Sequence, residues 1–285
     1  MLELIKRSPI SAKFGMAIIA LTTFVVIFAP FLAPYGESSI VGNVWEEASA
    51  KFILGTDNLG RDMLTRLIYG ARKTVLIALS ATLISFAIGV TAGFSASING
   101  GYIDTILSRT VDTMMAVPSI IFALLVLSVL GTDIIVLILV VSILDSTRVF
   151  RLSRAISMDI NVMEYVESAR LRGEGIWWVM FKEILPNCIG PLMAEFGLRF
   201  CFQFLFISSL SFIGLGIQPP YADWGGIVRD NSAALGFGLL APMYPALCIA
   251  IVTIGVNLVV DWALSLTSRS VQENRNTETT GGNNG

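Results

Sequence analysis

Two stretches without a single charged side chain, Thr74–Ile103 and Asn231–Val260, constrain this chain more than any motif in it. A bilayer core about 30 Å thick is crossed by about 20 apolar residues rising 1.5 Å each, and both runs are longer than that. Composition agrees. The 285 residues are 54% hydrophobic and 14% charged, with mean hydropathy +0.75, where an average soluble domain is about 25% charged. Disorder, a collagen-like fibre and a disulfide scaffold are excluded, and an ordinary soluble enzyme does not fit. A net charge of −2 gives no reason to expect nucleic acid as a partner. Cys188, Cys201 and Cys248 lie scattered in apolar surroundings with no CxxC, and are expected as inert packing residues. Histidine is absent, which removes the commonest general base and metal ligand.

The hydropathy pattern predicts an all-α, polytopic membrane protein with six transmembrane helices. The first span, Met16–Pro34, follows Lys6, Arg7 and Lys13. Its apolar stretch exceeds the roughly 7–15 residues of a signal-peptide core, so it reads as an uncleaved span closed by Pro30 and Pro34. The second is Thr74–Ile98 and the third Thr113–Gly131, with Asp133 in the turn that follows. The fourth is uninterrupted only over Ile134–Leu144 and works if the helix runs past Asp145 to Arg148, which places those two charges at a span end. The fifth, Ile189–Gly214, contains Glu195 and Arg199. The sixth, Leu239–Leu258, ends at Asp261 and Trp262. Six crossings put both termini on one side. With that side inside, inner segments carry twelve of the 19 Lys and Arg residues and outer segments six, Arg199 being intramembrane. That bias favours cytoplasmic termini.

Three units follow: residues 1–73 with the first span and an outer segment, residues 74–270 with five spans, and a polar tail at 271–285 expected to be disordered. The outer part, 35–73, has turn chemistry at Gly55-Thr56-Asp57 and an amphipathic stretch at Asp62–Tyr69. No internal repeat is evident.

The longest inner segment, 147–188, is more than a charged loop. Leu152, Ala155 and Ile156 recur at helical spacing, as do Met163, Val166 and Ala169; Gly173, Gly175, Trp177-Trp178 and Pro186 follow. The pattern predicts two short helices joined at a glycine turn, with Pro186 marking the restart into the fifth span. Such a bent helical bracket can dock into a groove on another protein.

Glu167-Ser168-Ala169, three residues, Gly173, then Ile184-Leu185-Pro186 resembles the EAA loop of ABC-importer permeases. Ser168 replaces the family's alanine, and Glu183 stands where the general pattern has isoleucine. The ending Ile184-Leu185-Pro186-Asn187 is similar to that of the peptide-transporter branch. Gly55-Thr56-Asp57-x-x-Gly60-Arg61-Asp62, Tyr69-Gly70-Ala71-Arg72, Val111-Asp112 with Pro118-Ser119, and Leu210–Pro220 followed by Trp224-Gly225 resemble C-type subunits of the dipeptide/oligopeptide branch.

The resemblance implies a type I ABC importer transmembrane domain in a bacterial inner membrane. It implies a heterodimer with a homologous permease, two ATPase subunits that hold ATP and Mg, an extracytoplasmic solute-binding protein and surrounding membrane lipid. It implies no cofactor on this chain, and no G-x-x-x-x-G-K-[ST] phosphate loop occurs in it. Glu164, Glu167, Ser168, Ala169, Arg170, Arg172 and Gly173 become the ATPase-coupling residues, with Arg170 and Arg172 able to pair with acidic groups on the ATPase. Family cargoes range over di- and oligopeptides, glutathione, nickel chelates and sugar- or opine-like solutes.

Glu195, Arg199 and Gln203 follow one another at i, i+4, i+8 and share a helix face. They either line a translocation path or form an internal pair that fixes packing. Asn257 is open between a helix–helix hydrogen bond and the path, and Tyr221–Gly238 between an external gate and a simple turn. Trp177 and Trp178 read as interfacial anchors. An ion-coupled secondary transporter would leave the bracket unused and predicts repeats with interrupted helices. An intramembrane enzyme lacks a catalytic constellation.

Overall fold

Proline, glycine and aspartate decide where the apolar runs begin and end as helices. The structure, a computed structural model, describes residues 8–281, with side chains for 8–265. Lys6, Arg7 and residues 282–285 lie outside the described residues. Helix α1 is Ile10–Leu32, and Ala33 beyond it is extended. Helix α2 is Met63–Asn99, opened by Asp62, whose carboxylate accepts from the Thr65 N–H. The N-cap therefore starts the second helix well before Thr74, so the amphipathic stretch and Arg66, Arg72 and Lys73 are its first turns and not a loop.

The expected third span is broken. Helix α3, Gly101–Ala116, and α4, Ser119–Leu130, are bent by 88° at Val117-Pro118. Proline disfavours helix at the residue before it, and Val117 is extended at φ −91°, ψ 131°. Helix α5, Ile134–Asn161, carries straight through Asp145 and Arg148 and absorbs Leu152, Ala155 and Ile156. The short helix α6, Glu164–Leu171, follows. One turn at Ile176–Trp178 (α7) and a π turn at Val179–Ile184 then lead into α8, Leu185–Ile213. A short helix α9, Trp224–Asp230, and a 3₁₀ turn, Ser232–Phe237, precede α10, Met243–Gly281.

By length and composition four segments can cross a membrane, Ile10–Leu32, Met63–Asn99, Ile176–Ile213 and Met243–Ser265, and a fifth if α3 and α4 are taken as one bent span. The six separate crossings expected from hydropathy are thus not all matched by long apolar helices. Residues 271–281, expected as a disordered tail, continue α10, as helix propagation from a formed span costs far less than nucleation.

Small residues set the closest approach. On α2, Ser85, Gly89, Gly93 and Ser97 recur every fourth position along the α5 contact. A Cβ on Gly89 would lie 2.6 Å from Val149 Cβ, and one on Gly93 2.8 Å from the Phe150 carbonyl. In lipid, where apolar side chains gain little by leaving the solvent, such backbone proximity is what holds helices together.

At the opposite end from α6, two segments form one cap. Asp57 sits at its centre, 1% exposed. Its Oδ2 lies 2.6 Å from Arg61 Nε and 3.8 Å from Arg66 Nε, and its Oδ1 accepts from the Leu59 and Arg61 N–H groups. Arg66 donates to the Pro220 carbonyl, Glu37 accepts from the Ala222 N–H, and the Asn231 side chain accepts from the Trp45 indole and the Asn58 N–H. The segment around Tyr221–Gly238 is therefore neither loose nor a bare turn. Trp224 is buried, donates to the Leu67 carbonyl at 2.9 Å and meets Phe204 edge-on.

Asp57→Ala leaves two buried guanidinium groups without their carboxylate, a change worth about 3–5 kcal/mol when one partner of a buried pair is removed. The expected result is new proteolytic cleavage within residues 35–62 and a detergent-solution melting temperature lowered by several degrees, with the exposed Glu47→Gln as an unaffected control.

Candidate functional site

The bracket predicted at 147–188 is present, with its parts rearranged. Helix α6 turns Val166 and Ala169, both fully buried, onto one face. That face meets Val179, Met180, Ile184, Cys188 and Leu192 from the run into α8, and Phe94 from α2. Ala169 is thus a packing residue and not part of the outer surface. The helix ends in a Schellman motif. The Gly173 N–H donates to the Arg170 carbonyl at 2.9 Å, the Glu174 N–H to the Ala169 carbonyl at 3.3 Å, and Gly173 takes φ +83°. A side chain at Gly173 would meet nothing within 4 Å, so backbone conformation and not space requires glycine there.

Pro186 does not interrupt the chain. Helix runs without a break from Ile176 to Ile213, and Pro186 lies in the first turn of α8 behind the π turn. The Leu185 N–H reaches back to the Met180 carbonyl, and this wider ring absorbs the irregularity a proline brings.

The outward face carries Glu164, Glu167, Ser168, Arg170, Arg172 and Gly173, all exposed. Around them stand apolar side chains open to solvent: Val162, Leu171, Ile176, Trp177 and Phe181. Trp177 and Phe181 stack with ring centroids 5.9 Å apart. The two arginines are partly committed within the bracket. Arg170 donates to the Asn161 side chain. Arg172 lies 3.8 Å from Glu183 and sits over the Trp178 ring, so Glu183 closes the turn against the base of α8. Burial, with Glu183 and then Cys188 adding to it, raises the Tyr165 phenol above its ordinary value.

A second polar constellation lies inside the bundle, and its centre, Asp145, was expected at a span end. Asp145 is 3% exposed in the middle of α5. Gln203 of α8, fully buried, donates to Asp145 Oδ2 at 2.9 Å and to the Ser85 hydroxyl of α2 at 3.0 Å. Arg199 Nη1 lies 3.5 Å from Asp145 Oδ1, and Arg199 Nε 2.7 Å from Glu195. The expected stripe therefore divides: Gln203 turns inward and joins three helices, while Glu195 and Arg199 sit at the margin, with side chains 17% and 19% exposed. The sequence signal for Asp145 was its interruption of an apolar run; nothing in one dimension tied it to Gln203 or Ser85. Arg151 and Arg154 pair with Asp112 and Asp104, joining the end of α5 to α3. Cys188 and Cys201 are buried and unbridged. Among the described residues no group of three or more Cys, Asp or Glu is arranged to hold a metal ion.

Residues 86–273 match the family described as binding-protein-dependent transport system inner membrane component. The chain is similar to the di/tripeptide transport system permease protein DppC of Pseudomonas aeruginosa, 34% identical over 87% of this chain and 84% of that one. It is 33% identical to the dipeptide transport system permease protein DppC of Escherichia coli, over 88% of this chain and 86% of that one. It is 28% identical to the glutathione transport system permease protein GsiD of Pectobacterium atrosepticum, over 90% of this chain and 85% of that one. An all-helical bundle with a helical bracket at one end and a polar node at its centre, matched over this much of its length, belongs to the binding-protein-dependent inner membrane components, the permease subunits of type I ABC importers.

Proposed function

We propose that this chain is one half of the membrane pathway of an ATP-driven peptide importer, and that the bracket at 164–175 is where the driving motion enters. One observation carries the reading: the inward face of α6 is keyed into the same apolar cluster as Phe94 of α2 and Leu192 of α8. A push on the exposed face is therefore delivered to two bundle helices at once. Burying Val166 is worth about 1.5–3 kcal/mol by itself, enough to keep the short helix seated while it is loaded. The Schellman turn and the Arg172–Glu183 contact fix its angle.

The partners follow from what this chain lacks and displays. It has no phosphate-binding loop, so two ATPase subunits hold ATP and Mg and hydrolyse it. Their closure draws the bracket of this chain toward that of a homologous permease, and the paired bundles open outward to take cargo from an extracytoplasmic binding protein. Hydrolysis resets the cavity inward. Packed helices with two discrete arrangements suit such a switch. The termini, the α3–α5 ion pairs and the bracket are on the cytoplasmic side, and the Asp57 cap faces outward. Di- or oligopeptides are the cargo in this reading, supported by two similar relatives named for di/tripeptide and dipeptide transport. Glu195 and Arg199 border the path.

Two measurements test the bracket. In the reconstituted importer, Gly173→Val forces a β-branched residue into a left-handed backbone conformation. Peptide uptake is expected to fall at least about tenfold while membrane insertion and ATP hydrolysis persist. Gly173→Asn, which tolerates that conformation, retains most of the uptake. Uptake by the valine variant equal to that of the unaltered chain would mean the turn does not couple.

Ser168→Cys reads the contact and the topology together. The thiol is expected to cross-link to an ATPase subunit with a short bifunctional reagent, and to react with an impermeant maleimide only in inside-out vesicles. Labelling in right-side-out cells would reverse the orientation.

A further inference from the structure

Arg148, expected as a structural residue at a span end, has less to hold it than any role in packing would explain. Among the described residues it makes no hydrogen bond; its nearest carboxylate is Asp145 Oδ1 at 3.7 Å, and a third of its side chain is exposed. Asp145 is engaged elsewhere, accepting from Gln203 and shared with Arg199. Glu195 is taken by Arg199. Arg199 is itself short of partners: its Nε lies near Glu195 without the N–H aimed at it, and has no hydrogen bond.

Both guanidinium groups share one aromatic platform, Phe202, at 4.3 Å for Arg148 and 5.6 Å for Arg199. They also share a depth. Arg148 is fourteen positions from the start of α5 and Arg199 fourteen from the end of α8, and both of those ends lie at the outer cap. At 1.5 Å per residue each is about 21 Å along its helix, roughly two thirds of the way through a core about 30 Å thick. A guanidinium has five N–H donors in a planar fork. Leaving donors unmet at such depth is costly, and intramembrane charge belongs on a water-filled cavity or against a partner. The fork matches a carboxylate bidentately, and a ring face beneath it holds the plane in place.

From this we infer that Arg148, steadied by Phe202 and flanked by Arg199, is a specificity-determining residue that takes the free carboxylate of the cargo as it passes. The inference rests on the peptide reading above and adds to it a named contact with one end of the peptide.

The test uses the whole importer in proteoliposomes, with binding protein loaded to saturation by Ala-Ala or by Ala-Ala amide, so that the ratio of uptake rates reads the permease. The unaltered chain is expected to favour the free acid. Arg148→Gln should lower free-acid uptake about tenfold, the size of one charge-assisted hydrogen bond, and bring the acid-to-amide ratio close to one. Arg148→Lys, which keeps the charge without the fork, should fall between. Equal losses for both probes would mean that Arg148 serves packing or an acidic group on the partner permease, and would overturn the inference. Unchanged uptake by Arg148→Gln would do the same. If the unaltered importer carries neither probe, the peptide reading itself fails and takes this contact with it.

Discussion

A carboxylate inside a bilayer has to be met by protein, and Asp145 of α5 is met from two other helices at once, α2 and α8. Gln203 reaches it from α8 and also holds Ser85 of α2, while Arg199 approaches its other oxygen. Breaking such a buried arrangement by removing one member strands the rest, at a cost of several kcal/mol. That penalty ties α2, α5 and α8 to one register. The close seam of Gly89 and Gly93 against α5 depends on the same register, as no side chain larger than hydrogen fits there.

The bundle is fastened differently at its two ends. The cap opposite α6 is polar: Asp57, Arg61 and Arg66 lock one loop, and Asn231 and Glu37 lock it to the next. At the other end, an apolar cluster seats a short helix whose outer face is left open, with Trp177 and Phe181 stacked beside it. A polar latch is directional and rigid. An apolar seat transmits force through packed atoms and leaves its far side free for a partner. The two kinds of fastening give one end that is latched by directional polar contacts and one that is seated by apolar packing.

The polar node lies between these ends and on the margin of α8. Its inner half, Asp145 with Gln203 and Ser85, is joined within the subunit by the two Gln203 hydrogen bonds, with Asp145 Oδ1 and Gln203 Oε1 left without one. Its outer half, Arg148 and Arg199 over Phe202, keeps donors in reserve. One constellation thus divides into a part that holds helices and a part that faces outward from them.

Fold class and the bracket were legible in the residues alone, for physical reasons. Charge-free runs must avoid water whatever their neighbours, and Gly173 permits a left-handed turn where other residues would be strained. The break at Val117-Pro118 was equally local and was passed over, as hydropathy averages across a kink. The start of α2 at Asp62 could also have been found, from a capping aspartate and its threonine. What one dimension did not contain was which polar groups meet. Asp145 is far in sequence from both Ser85 and Gln203, and only helix packing brings the three together. Arg172 and Glu183 meet only through the turn that folds the bracket back. Pairing across space is set by crossing angle and register, and those belong to the tertiary structure because every helix must bury its face against the others simultaneously.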